Sequence, residues 1–80
     1  MDTATWINQE IGNRVTSSME QAGINRSQLA NATGIARTTL NRALNGNGPG
    51  FRMLELIVIG KALNQDYTEW LPIPDLQAAG

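Results

Sequence analysis

Neither cysteine nor histidine occurs in the 80 residues. Their absence excludes disulfide staples, zinc sites built from Cys and His, and nucleophilic catalysis by Cys/His or Ser/His pairs. Acid and base chemistry would have to come from Asp2, Glu10, Glu20, Glu55, Asp66, Glu69, Asp75 and the single Lys61, and no spacing among them suggests a catalytic pair. An enzyme is therefore not expected, and no metal or cofactor is indicated. Long apolar runs are missing too. No stretch approaches the roughly 20 apolar residues that span a bilayer, and Met1 to Trp6 lacks the basic start and apolar run of a signal peptide. The expected location is the cytoplasm.

Charged residues are scarce, at 16% against 41% apolar, which places the chain among globular rather than disordered sequences. One domain fits the length. The net charge of −1 argues at first against a polyanionic partner, but its distribution reverses the argument. Between Gln21 and Leu54 stand Arg26, Arg37, Arg42 and Arg52 without a single acid, while the acidic residues lie on either side. A polyanion responds to the local field it meets, so this central segment can dock on phosphate despite the negative total. Four arginines on a solvated surface would look the same in composition, and their placement has to decide.

Ile7, Ile11, Val15, Met19 and Ala22 recur at helical spacing between Trp6 and Ala22 and predict a first helix, with Thr3 or Thr5 to cap it and Gly23 to end it. Asn25 followed by Gln28 is a capping-box pattern, with Ile24 and Leu29 as its apolar staple, and it opens a short second helix that Gly34 closes. A third helix is expected to bury Ala36, Leu40, Ala43 and Leu44 and to turn out Arg37, Thr38, Asn41, Arg42 and Asn45. The run from Gly46 to Gly50 reads as a flexible connection, and it lacks the Gly-Lys-Ser/Thr ending of a phosphate-binding loop. Phe51 to Leu63 reads as a mostly buried fourth helix. Asp66 and Glu69 form another capping pattern for a short fifth helix with Tyr67, Trp70 and Leu71, stopped by Pro72 and Pro74. The expected organisation is all-α, with one domain over 1–71 and a tail over 72–80 that is disordered or touches a second copy.

Two short helices joined by a glycine-containing turn can cross steeply where small residues such as Ala30 and Gly34 let them approach. The run Ile24-Asn25-Arg26-Ser27-Gln28-Leu29-Ala30, then Thr33-Gly34-Ile35, Leu40 and Leu44-Asn45-Gly46, resembles the lambda-repressor-like helix-turn-helix family, the Cro and phage-repressor type also called the XRE family. Ile59-Gly60-Lys61-Ala62-Leu63 resembles that family's closing segment in weaker form. The resemblance implies a five-helix DNA-binding domain whose third helix lies in the major groove while the second crosses the backbone. It also places Arg26 where family members contact the sugar-phosphate backbone.

The outward residues of the third helix agree with this independently, because arginine suits guanine, asparagine adenine, and the threonine methyl group thymine. The candidate base readers are Arg37, Thr38, Asn41 and Arg42. The candidate phosphate contacts are Arg26, Thr39, Asn45 and Arg52. Two departures from the family stand out: Ala36 replaces a Ser or Thr cap, and Met19 and Leu44 replace an Arg and Glu that pair between helices. An apolar Met19–Leu44 contact is expected instead.

Since one half-site offers few base contacts, a homodimer on a palindromic operator is expected. Tyr67, Trp70, Leu71, Ile73 and Leu76 are its candidate interface, and the same residues would serve equally as core or tail packing against Trp6. The leading reading is a sequence-specific transcriptional regulator, a repressor or Cro-like protein acting at the nucleoid. The alternatives are an antitoxin-type autoregulator, with a toxin or antirepressor as protein partner, and a helical protein-interaction module that uses the fold without DNA.

Overall fold

The computed structural model describes residues 3–72, with side chains from residue 5 onward. It contains α1 (Thr3–Ala22), α2 (Arg26–Thr33), α3 (Arg37–Leu44), α4 (Met53–Leu63) and a single 3-10 turn over Tyr67–Trp70, with no strand among the described residues. The expected fifth helix is thus corrected to one tight turn. Only four residues lie between Asp66 and Leu71, and Pro72 disfavours the helical region for the residue before it, so Leu71 is extended at φ −80°, ψ 118°. Of the expected tail over 72–80, only Pro72 falls within the described residues.

Thr3 and Thr5 both lie inside α1 rather than ahead of it. Ile11, Val15 and Met19 are buried and Ile7 packs against them, whereas Ala22 at the helix end is exposed. Gly23, at φ +70°, closes the helix. Its N–H donates to the Glu20 carbonyl at 3.2 Å and that of Ile24 to Met19 at 3.0 Å. Gly12 has a different task. A Cβ there would collide with the Leu44 carbonyl oxygen. The roughly 1 kcal/mol that a mid-helix glycine costs is what lets the C-terminal end of α3 lie directly on α1.

One apolar cluster joins all the elements: Ile11, Val15 and Met19 of α1, Leu29 of α2, Leu40 and Leu44 of α3, Leu56, Ile59 and Leu63 of α4, and Trp70 and Leu71 at the 3-10 turn. Met19 and Leu44 are both members, at 4% and 3% exposure, so apolar packing stands where a charged pair would need desolvation. The fourth helix buries less than its composition suggests. Leu56, Ile59, Gly60 and Leu63 face inward, while Met53 and Leu54 are 55% and 70% exposed, because α2, α1 and the 3-10 turn cover only one side of α4.

Trp70 and Leu71 belong to this core, which removes them from the expected dimer surface: at 2% and 8% exposure they have almost no area to offer a partner. The Trp70 indole N–H donates to Ser18 Oγ at 2.9 Å, and the Ser18 hydroxyl donates to Gln65 Oε1 at 3.3 Å. A buried tryptophan needs such a partner, and Ser18, itself only 8% exposed, provides it. Arg14 ties the same corner down, with an ion pair to Glu10 at 3.2 Å and 3.5 Å bonds to the carbonyls of Glu69 and Leu71. Tyr67 is half-buried against the cluster, and Ile73 and Leu76 lie outside the described residues.

Candidate nucleic-acid interface

The unit of interest is α2, its turn and α3. Asn25 starts it as expected. Its Oδ1 accepts from the Gln28 backbone N–H at 2.8 Å, and its own N–H donates to Gln28 Oε1 at 2.9 Å, a closed capping box. Ile24 and Leu29 flank the box, half-buried and fully buried, in the positions of the apolar staple. Gly34 ends α2 at φ +77° with its N–H on the Ala30 carbonyl at 2.9 Å. Thr33 then pins the turn, since its hydroxyl donates to the Leu29 carbonyl at 2.8 Å and accepts from the Ile35 N–H at 3.2 Å.

Helix α3 begins without a side-chain cap, because Ala36 has nothing to accept with. Ala36 was expected on the buried face, yet it is exposed, since it precedes the helix at φ −58°, ψ 137° rather than lying in its first turn. The remaining inward residues, Leu40, Ala43 and Leu44, are buried as the periodicity predicts. Pinned along that stripe, the helix turns Arg37, Thr38, Thr39, Arg42 and Asn45 to solvent. At its far end the Gly46 N–H donates to Ala43 at 3.1 Å and that of Asn47 to Arg42 at 2.9 Å, and Gly46 lies so close to Gln9 of α1 that a Cβ would strike it. The two ends of the glycine run, Gly46 and Gly50, lie against Gln9 and Asn8 of α1, while Asn47, Gly48 and Pro49 between them are exposed.

Two candidate residues differ from their expected surroundings. Asn41 is only half-exposed, and its Oδ1 accepts from Arg26 Nη1 at 3.0 Å, while Arg26 Nη2 donates to Asn45 Oδ1 at 3.2 Å. Arg26 is therefore held across the junction of α2 and α3 rather than extended into solvent. Arg42 lies over Gly48, where a Cβ would approach its Nη2 to 3.0 Å. Arg42, Thr39 and Arg52 border one hollow of about 320 Å³, which also includes Glu55. Glu55 accepts from the Arg52 backbone N–H at 2.8 Å and so caps the start of α4 in place of a residue with an acceptor at position 52.

The electrostatics match this geometry. Among the described residues the one ion pair is Arg14–Glu10, so none of Arg26, Arg37, Arg42 and Arg52 is ion-paired, with Glu55 the one acid beside the hollow that Arg42 and Arg52 border. Asp66 precedes the 3-10 turn, at the other end of the chain from α2 and α3. The Thr68 hydroxyl at 2.7 Å and the Thr68 N–H at 3.0 Å hold its carboxyl below the usual carboxylate range. No cluster of three or more His, Cys, Asp or Glu capable of holding a metal occurs among the described residues, and no described helix is long and apolar enough to cross a membrane.

Sequence reasoning missed Ser18 and Gln65 beneath Trp70, and Thr33 in the turn, because single hydroxyl and amide residues carry no pattern. Gly12 did carry a signal, as a glycine in the middle of a strongly periodic helix. No curated protein matches the chain. The sequence profile of the Cro/C1-type HTH DNA-binding domain matches residues 14–69, a span that takes in the capped α2, its glycine turn, the outward-facing α3 and the whole of α4. With more than half of its length and its entire helix-turn-helix inside that match, the chain belongs to the Cro/C1-type helix-turn-helix DNA-binding family.

Proposed function

We propose that this protein is a sequence-specific regulator of transcription, a repressor or Cro-like protein, that lays α3 in the major groove of double-stranded DNA. The observation that carries this reading is the face of α3. Arg37, Thr38 and Arg42 are exposed on a helix fixed from behind by Leu40, Ala43 and Leu44, and no acid stands between Gln21 and Leu54 to repel phosphate. Arg37 and Thr38, in the first turn, reach base edges first, and Arg42 follows one turn later. Thr39 and Arg52, beside the same hollow, take phosphates, as does Arg26 at the start of α2. Such a protein acts in the cytoplasm, on the nucleoid, and its action includes no catalytic step.

Three exposed side chains specify a short half-site, so two copies on a two-fold operator, with half-sites about one DNA turn apart, supply the affinity and selectivity a regulator needs. With Trp70 and Leu71 buried in the core, the apolar surface available for a self-interface among the described residues is Met53, Leu54 and Trp6, with part of Tyr67.

Selection from random duplexes, repeated at two salt concentrations, tests the reading. A palindromic site is expected to emerge, with affinity falling steeply as salt rises. Arg37→Ala or Arg42→Ala should each cost about 1–3 kcal/mol on that site and relax one base position. If no duplex is preferred and salt has no effect, the protein is not a DNA regulator.

A further inference from the structure

Arg26 occupies the first position of α2, and its guanidinium spans two amide oxygens one turn apart, Asn41 Oδ1 of α3 at 3.0 Å and Oδ1 of its C-cap Asn45 at 3.2 Å. A guanidinium has donors and no acceptor. It therefore dictates how both amides are turned, with their oxygens toward Arg26 and their amino groups away. Reading adenine requires an asparagine to accept from the base N6 with Oδ1 while Nδ2 donates to N7. An Asn41 whose oxygen faces back to α2 cannot form that pair. Its half-burial agrees, since Arg37, Thr38 and Arg42 on the same helix are exposed.

The partners chosen by Arg26 are neutral, and this decides what the arrangement can do. A carboxylate in place of either amide would orient the guanidinium equally well and cancel its charge. Two asparagines orient it and leave the charge intact. Glu20, which borders the same hollow as Arg26 beside the end of α1, stands beyond ion-pair distance. The Nε–H and the outer N–H groups of Arg26 have no partner among the described residues. Fixing a long side chain ordinarily opposes binding, and here it is fixed beforehand. The ligand that such a half-buried, fully charged fork fits is a phosphate oxyanion.

We propose that Asn41, with Asn45, is a positioning residue that holds Arg26 as a pre-oriented anchor for a DNA phosphate, and that base reading by α3 rests on Arg37, Thr38 and Arg42 alone. This rests on the DNA-binding reading above and sharpens it, because it moves Asn41 from the residues that choose sequence to those that set affinity.

The test uses the full chain and the duplex selected by the wild type, with binding measured across salt and base preference measured for each variant. Asn41→Ala is expected to weaken binding to every duplex by about three- to tenfold, the effect of releasing one ordered side chain. The preferred sequence should stay the same, and the change should have no further effect in an Arg26→Ala background. Arg26→Ala lowers the salt slope by about one unit. Asn41→Asp keeps an acceptor on the guanidinium while cancelling its charge, so its thermal midpoint should be no lower than wild type although its salt slope falls with that of Arg26→Ala. If Arg26 and Asn41 served only to staple α2 to α3, Arg26→Ala would leave the salt slope at its wild-type value.

The proposal is overturned if Asn41→Ala relaxes one base position, if Asn41→Asp shifts that position toward cytosine, or if the effects of Asn41→Ala and Arg26→Ala simply add. A wild type with no preferred duplex and no salt dependence instead overturns the DNA reading itself, and this proposal falls with it.

Discussion

Helix α3 buries Leu40, Ala43 and Leu44 and turns Arg37, Thr38 and Arg42 to solvent, whereas α4 buries Leu56, Ile59 and Leu63 and turns out Met53 and Leu54. Inward, the two are interchangeable in kind: aliphatic side chains at helical spacing entering one cluster. Outward they are opposites. Exposed arginines keep their hydration and gain only when an anion arrives, while exposed Met and Leu leave apolar area in water at a cost of about 25 cal/mol per Å² until something covers it. The core explains where the helices sit, and the solvent faces explain what they are for.

The largest expected effect tests the inner half of that comparison. Leu40→Ala should lower unfolding stability by about 2–5 kcal/mol in a denaturant titration, since Leu40 has no exposed surface, while Leu54→Ala, 70% exposed on α4, should stay within about 0.5 kcal/mol. Equal losses at both positions would mean that α4 is covered on both sides. A smaller effect of opposite sign is expected where α3 begins. Ala36→Ser, at an exposed position whose backbone already has the form of a helix cap, should raise stability by about 1 kcal/mol and leave base preference unaltered.

The smallest effect concerns the 3-10 turn. Hydrogen bonds from the Thr68 hydroxyl and N–H favour ionised Asp66 and lower its pKa in the folded state. Its contribution is therefore present at neutral pH and is lost as pH falls below about 4, through the lowered value. In a Trp6→Phe background, Trp70 fluorescence should report a slight loosening of the turn in acid that is missing from Asp66→Asn, where no carboxyl remains to be protonated.

Much of the architecture was legible in sequence because the signals are local. The Asn25–Gln28 box, the stops at Gly23 and Gly34, and the Leu40–Leu44 spacing each involve neighbours within one or two turns, and each stands where expected. The errors fall where an outcome depends on something distant. Ala36 has the right spacing for the buried face, but the helix starts one residue later. Trp70 could have been surface or core until Ser18, 52 residues away, was placed beneath its indole N–H. That Gln9 and Asn8 of α1 lie against Gly46 and Gly50, at the two ends of the glycine run, is likewise a distant contact that composition does not reveal.

An all-helical domain with a capped helix, a glycine turn and an arginine-bearing helix between Asn25 and Asn45 follows from the residues alone, because capping, periodicity and charge segregation are properties of short stretches. Which polar side chains of that unit face solvent and which face each other depends on how the helices pack. Asn41 and Arg42 are neighbours of similar polarity, and nothing local separates them. Asn41 is half-buried with its oxygen toward Arg26, while Arg42 lies exposed over the loop, because the start of α2 covers one side of α3 and leaves the other open.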